Sequence, residues 1–248
     1  MTSSAAIRPR WTVEQWIVMA ALLALGGLSW AYLSWVPMPM PGNSGPMTWE
    51  FTLLTFLMWF IMMLAMMTPS VLPVVLLFQR INQRSTFPKR RTLLFASGYF
   101  AAWGVFSFAA TCLQLLLMRI NWIDAMGIAQ RSLISAGLMA AIGLYQWLPI
   151  KSTCLEHCRS PVDFLTRHFR PSVSGAWSTG LHHGLYCVGC CWLMMLLLFV
   201  GGVMNLLWVA GITLMVAVEK LSAHGRAVQR AIGAGLMLAA IVMVLRSA

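Results

Sequence analysis

A chain of 248 residues that is 60% hydrophobic and only 9% charged is far more apolar than a soluble domain, in which roughly a quarter of residues are charged. Its net charge of +11 comes from 17 Lys and Arg against 6 Asp and Glu. No long basic segment with interleaved aromatics accompanies it, so nucleic acid is not the expected partner. The composition predicts an all-α, polytopic integral membrane helix bundle forming a single domain over residues 1–248.

A bilayer core of about 30 Å needs about 20 apolar residues per helix. Seven apolar runs meet or approach that length: 16–36, 50–78, 93–118, 133–148, 185–203, 206–218 and 227–245. Arg8 and Arg10 precede the first run as in a signal peptide. The run exceeds a signal h-region, so it reads as an uncleaved span. The stretch 184–218 is too long for one ordinary helix, and Gly201-Gly202 followed by Asn205 offers a reversal within it. One long tilted helix, with six spans in total, is the alternative. Seven spans place every Lys and Arg except Arg119, Arg131 and Arg246 on one side of the membrane. The positive-inside rule makes that side, and the N-terminus, cytoplasmic. The longest polar connection, 149–179, is then a cytoplasmic loop with two cysteines.

The stretch GLHHGLYCVGCCWLMM, 180–195, concentrates metal-ligand residue types at the mouth of the fifth predicted span. On a helix with His183 at zero, Cys187 falls at about +40°, Cys190 at about −20° and Met194 at about +20°. Cys191 sits at the edge of that stripe, and His182 falls off it, as an interfacial or supporting group. A single buried Cys is usually a small hydrophobe. Three thiols with an imidazole and a thioether on one face read as metal ligands, copper(I) first and zinc as the alternative. Gly180, Gly184 and Gly189 allow close approach of a neighbouring backbone. In the preceding loop, Cys154 and Cys158 flank His157 at helical spacing. They read as a metal station, a redox pair, or a reduced cysteine pair without a role.

The second run reads FLMWFIMMLAMMTPSVLP. Met62 and Met66 share a stripe with Met58, and Met63 and Met67 form a second one. They fill irregular gaps or relay Cu(I). Pro69 and Pro73 remove helix hydrogen bonds and predict a kink. Glu219 closes the sixth predicted span on the face of Asn205. It is either a functional ionisable group or the partner of Lys220 or Arg226. Cys112 reads as core, His168 as an ordinary loop residue, and Met38 and Met40 as a Pro-Met turn able to meet external copper.

The strings MMLAMMTPSVLP, GLYQWLPIKSTCLEHCRSP, GLHHGLYCVGCCWLMMLLLFVGGVMNLLW and VEKL occur in this order. From Glu50 to the C-terminus the chain closely resembles a bacterial family of predicted metal-binding integral membrane proteins, a domain of unknown function. Some of its members carry a copper-chaperone label. The resemblance falls on Met62, Met63, Met66, Met67, Pro69, Lys151, Cys154, Cys158, His183, Cys187, Cys190, Cys191, Asn205 and Glu219. It implies a metal-binding protein of the bacterial cytoplasmic (inner) membrane.

The expected function is binding and transfer of Cu(I), with the lipid bilayer and a metallochaperone or membrane metalloenzyme as partners. A membrane thiol–disulfide enzyme, or an assembly partner of a larger metalloenzyme, are the alternatives. A non-enzymatic role is preferred, and the enzyme reading stays open.

Overall fold

The computed structural model describes residues 12–36, 48–124, 126–170, 172–222 and 224–247. Met38, Met40, Arg8 and Arg10 lie outside them. Among the described residues the chain is helical throughout, with no strand beyond one isolated bridge between Ile123 and Ala129. The helices are α1 Val13–Trp35, α2 Trp49–Asn82, α3 Pro88–Arg119, α4 Ser132–Tyr145, α5 Pro149–Arg159, α6 Pro161–His168, α7 Val173–Leu196, α8 Leu198–Gly201, α9 Leu206–Leu221 and α10 Gly225–Ser247.

Local chemistry sets several of these starts. Thr12 and Gln15 form a reciprocal capping box at α1, while Thr48 and Ser172 cap α2 and α7. Such side chains satisfy amides that have no partner within the helix. Pro88, Pro149 and Pro161 sit in the first turns of α3, α5 and α6, where a missing N–H costs nothing. Helix α2 runs through Pro69 and Pro73 without a break.

Five segments are long and apolar enough to cross a membrane: α1, α2, α3, Val173–Gly201 and α10. Helices α4 and α5 meet at a bend of 66° and make a sixth only if counted as one broken span. The predicted count of seven therefore falls to five or six. The fourth predicted span shrinks to the 14 residues of α4, which rise only about 21 Å. The sixth predicted span is α9, with 16 residues, or about 24 Å. The predicted cytoplasmic loop 149–179 is also revised: it folds into α5, α6 and the beginning of α7. Helix α7 thus starts twelve residues before the predicted 185, and the two histidines lie well inside it. The reversal at Gly201-Gly202 is present. Gly202 has φ +94, a conformation that disfavours any side chain. Cys112, expected in the core, is exposed on α3.

Glycine governs the contact of α3 with α7. A Cβ on Gly180 would run into the backbone of Phe95, and one on Gly184 would lie 2.8 Å from the Tyr99 carbonyl oxygen. Small residues let two backbones meet at this distance and so bring Tyr99 onto the thiol face of α7. Gly180→Val is expected to separate the helices and to lower stability by about 1–3 kcal/mol. Thermal unfolding in detergent would show a reduced midpoint, and an unchanged midpoint would refute the close packing.

Polar contacts tie together one end of the bundle. Arg91 donates to the Arg170 carbonyl at 3.2 Å and lies over the Phe169 ring. Arg159 donates to the Ser222 carbonyl, and Arg226 pairs with Glu156. These contacts tie α3 to the connection between α6 and α7, and α5 to the end of α9 and to α10.

Candidate metal centre

Helix α7 turns the predicted stripe inward. His183, Cys187, Cys190, Cys191 and Met194 are all buried, whereas His182 is exposed. The Cys190 and Cys191 thiols donate to the Cys187 carbonyl at 3.1 and 2.9 Å. That leaves the three sulfurs on neighbouring turns of one face.

Helix α5 packs across this face. Cys158 Sγ lies 3.8 Å from Cys190 Sγ, so a thiol 32 residues earlier in the chain joins the α7 cluster. Cys154 packs against Gly189, its Sγ 3.2 Å from where a Cβ would stand. His157 turns away from the thiols, stacks on Tyr186 at 4.5 Å, and bonds through Nδ1 to the Thr153 carbonyl at 2.8 Å.

The cluster holds a cation of its own. Lys220 Nζ is 2.8 Å from Cys187 Sγ and 3.7 Å from Cys191 Sγ. The Tyr99 hydroxyl lies 3.0 Å from Cys187 Sγ on the other side. One turn further along α7, Met194 Sδ meets Lys151 Nζ at 3.4 Å. Lys151 is fully buried and forms an ion pair with Glu219 at 2.6 Å. Gln146 accepts a further bond from Lys151, and Gln229 donates to the Gln146 carbonyl. Glu219 therefore pairs with neither Lys220 nor Arg226, the two partners its sequence position suggested. Adjacent residues of α9 serve adjacent polar clusters on α7.

Sequence reasoning missed Lys220, Tyr99 and Gln146 as site residues. The available signal was a Glu-Lys pair inside an otherwise apolar 16-residue helix. Charges placed there are costly without partners.

His183 is sandwiched among the rings of Phe164, Tyr99 and Phe95, at 4.8, 5.8 and 6.4 Å. Its Nδ1 is buried without a hydrogen-bond partner. A buried imidazole nitrogen with nothing to bond is a destabilised group. A metal ion would satisfy it.

The other predicted residues separate into two groups. Met62, Met63, Met66 and Met67 are fully buried and belong to the same continuous core as Cys187, Cys190, Cys191 and Met194. Asn205 stands apart from the thiols. Its side chain caps α9 by accepting from the Trp208 amide at 3.2 Å.

Among the described residues no three His, Cys, Asp or Glu side chains already converge on one metal position. Two of the thiols, Cys187 and Cys191, instead lie beside the Lys220 ammonium. The donor set nonetheless suits a soft monovalent ion, which tolerates few ligands and prefers sulfur.

No curated protein and no solved structure matches the chain. Residues 56–243, which include all six cysteines, the methionines of α2 and Met194, match the family model of PpoB2, described as a copper chaperone. The chain belongs to that copper chaperone family.

Proposed function

We propose that this protein binds Cu(I) at the buried thiols and hands it on across or along a bacterial inner membrane. Two thiolates drawn from Cys187, Cys190, Cys191 and Cys158 supply the primary ligands. His183 and Met194 lie at the two ends of the cluster. The observation that carries this reading is the Lys220 ammonium among the thiols, 2.8 Å from Cys187 Sγ. Binding releases thiol protons, and Cu(I) held by two thiolates bears one negative charge. Lys220 cancels it, while Lys151 and Glu219 cancel each other. A loaded site of this kind carries no net charge into a low-dielectric interior, where an uncompensated ion is costly.

In this reading the basic end of the bundle faces the cytoplasm. Cys154 beside Gly189 gives an entry or exit position, and the methionines of α2 offer thioethers for onward transfer. A metallochaperone or a membrane metalloenzyme completes the exchange.

The test is copper content of anaerobically purified protein by mass spectrometry. About one copper per chain is expected, lost in Cys187→Ala/Cys190→Ala. Unchanged copper in the double variant would reject the site. Zinc in place of copper would change the cargo but not the ligands.

The Cys158–Cys190 contact at 3.8 Å favours one second reading, a membrane thiol–disulfide enzyme. It pairs α5 with α7 rather than Cys187 with Cys190. Thiol labelling of metal-free protein after mild oxidation separates the two: a Cys158–Cys190 disulfide that forms and reduces reversibly supports redox chemistry.

A further inference from the structure

We propose that His168 and His182 form a surface copper(I) site that loads the buried thiols. The proposal rests on the copper-transfer reading above and adds the place where the ion first lands. His168, at the end of α6, and His182, on α7, stand edge to face with ring centroids 4.8 Å apart. Together with Arg167, Arg170, Ser178 and Thr179 they line a surface cavity of about 130 Å³.

Hydrogen bonding fixes the imidazole state of His168. Its Nδ1 lies 3.1 Å from the Phe164 carbonyl. A carbonyl only accepts, so Nδ1 carries the proton and the neutral ring keeps its lone pair on Nε2. A second bond of this type is what orients a metal-ligating histidine. His157 has the same arrangement with Thr153, but the Tyr186 ring lies between it and the pair: His157 stacks on Tyr186 at 4.5 Å and His182 at 5.2 Å. His157 is therefore not one of the two ligands.

The pair is one aromatic ring away from the interior. Phe164 is fully buried. It stacks on His168 at 4.9 Å on one side and meets His183 at 4.8 Å on the other. His183 in turn precedes Cys187 by one helical turn. A swing of the Phe164 ring would connect the surface imidazoles with the unpartnered Nδ1 of His183 and then with the thiols.

The surrounding charge disfavours every cation, a divalent one most. Arg167 is held by Asp163 at 3.0 Å, and Arg170 lines the cavity. Coulomb repulsion scales with ionic charge, so these guanidinium groups oppose a divalent ion twice as strongly as Cu(I). They also offer an anion a competing site, which the experiment must distinguish.

The test uses the full-length protein in detergent, wild type beside Cys187→Ser/Cys190→Ser, modified with diethyl pyrocarbonate and read histidine by histidine by mass spectrometry. Buffered Cu(I) well above its dissociation constant should slow modification of His168 and His182 about tenfold or more, in both proteins, and leave His224 unaffected. The ultraviolet thiolate–copper band should appear in wild type only. Modification unchanged at both histidines, with the thiol band intact, overturns the proposal and spares the thiol site. Protected histidines without a thiol band uphold the pair and remove the thiol site. Protection by inorganic phosphate alone, with no further effect of copper, overturns the proposal in favour of an anion pocket.

Discussion

Lys220→Met should bind Cu(I) at least about a hundredfold more weakly than wild type, the equivalent of roughly 3 kcal/mol. The measurement is competition against a chelating dye at fixed pH. The cause is electrostatic. Lys220 is only 7% exposed, so the negative charge of a bis-thiolate copper unit would be left buried without its counter-charge. Lys220→Arg keeps the charge and should recover most of the affinity, although its planar fork differs from the compact ammonium. Helical content and gel-filtration behaviour of the metal-free variant serve as folding controls. Wild-type affinity in folded Lys220→Met would mean that Lys220 is a packing residue and that the charge account is wrong.

The second large effect concerns stability and needs no copper. Glu219→Gln should destabilise the protein by about 3–5 kcal/mol, because it leaves the Lys151 ammonium buried without its carboxylate. Lys151 has no exposed surface, and its remaining contacts are Gln146 and Met194. The double variant Lys151→Met/Glu219→Leu removes both charges and should regain most of the loss, since well-packed apolar replacements often match a buried pair. Chemical unfolding of wild type, Lys151→Met, Glu219→Leu and the double variant gives the coupling energy directly. Additive losses would show that the pair is not coupled.

The inward stripe on α7 was legible because its period belongs to the helix itself. Positions 183, 187, 190 and 194 share a face whatever the rest of the chain does. The α1, α2, α3 and α10 spans were legible for a similar reason, each being a long apolar run of its own. What could not be read was everything set by packing between helices. Cys158 reaches Cys190 only because α5 folds back over α7, and Pro149 and Pro161 in a polar stretch read more readily as loop punctuation than as helix starts. Lys220 was hidden because a lysine at the end of an apolar helix ordinarily anchors to the interface. His168 reads as a loop residue from the sequence because α6 is only eight residues long. Helices α4 and α9 read as spans because hydropathy registers apolar character but not the burial against neighbours that lets a short helix remain apolar.

Helix α9 has a bearing on how the molecule is built. Its 16 residues end in Glu219 and Lys220, both buried in the finished protein. Newly synthesised and alone, such a segment enters lipid poorly, since each charge carries a penalty near the hydrocarbon. The groups that relieve it, Lys151, Cys187 and Cys191, all lie earlier in the chain and are therefore made first. Synthesis thus has a built-in order: the residues of α5 and α7 that receive α9 are made before it, and the turn at Gly202 lies between them and it.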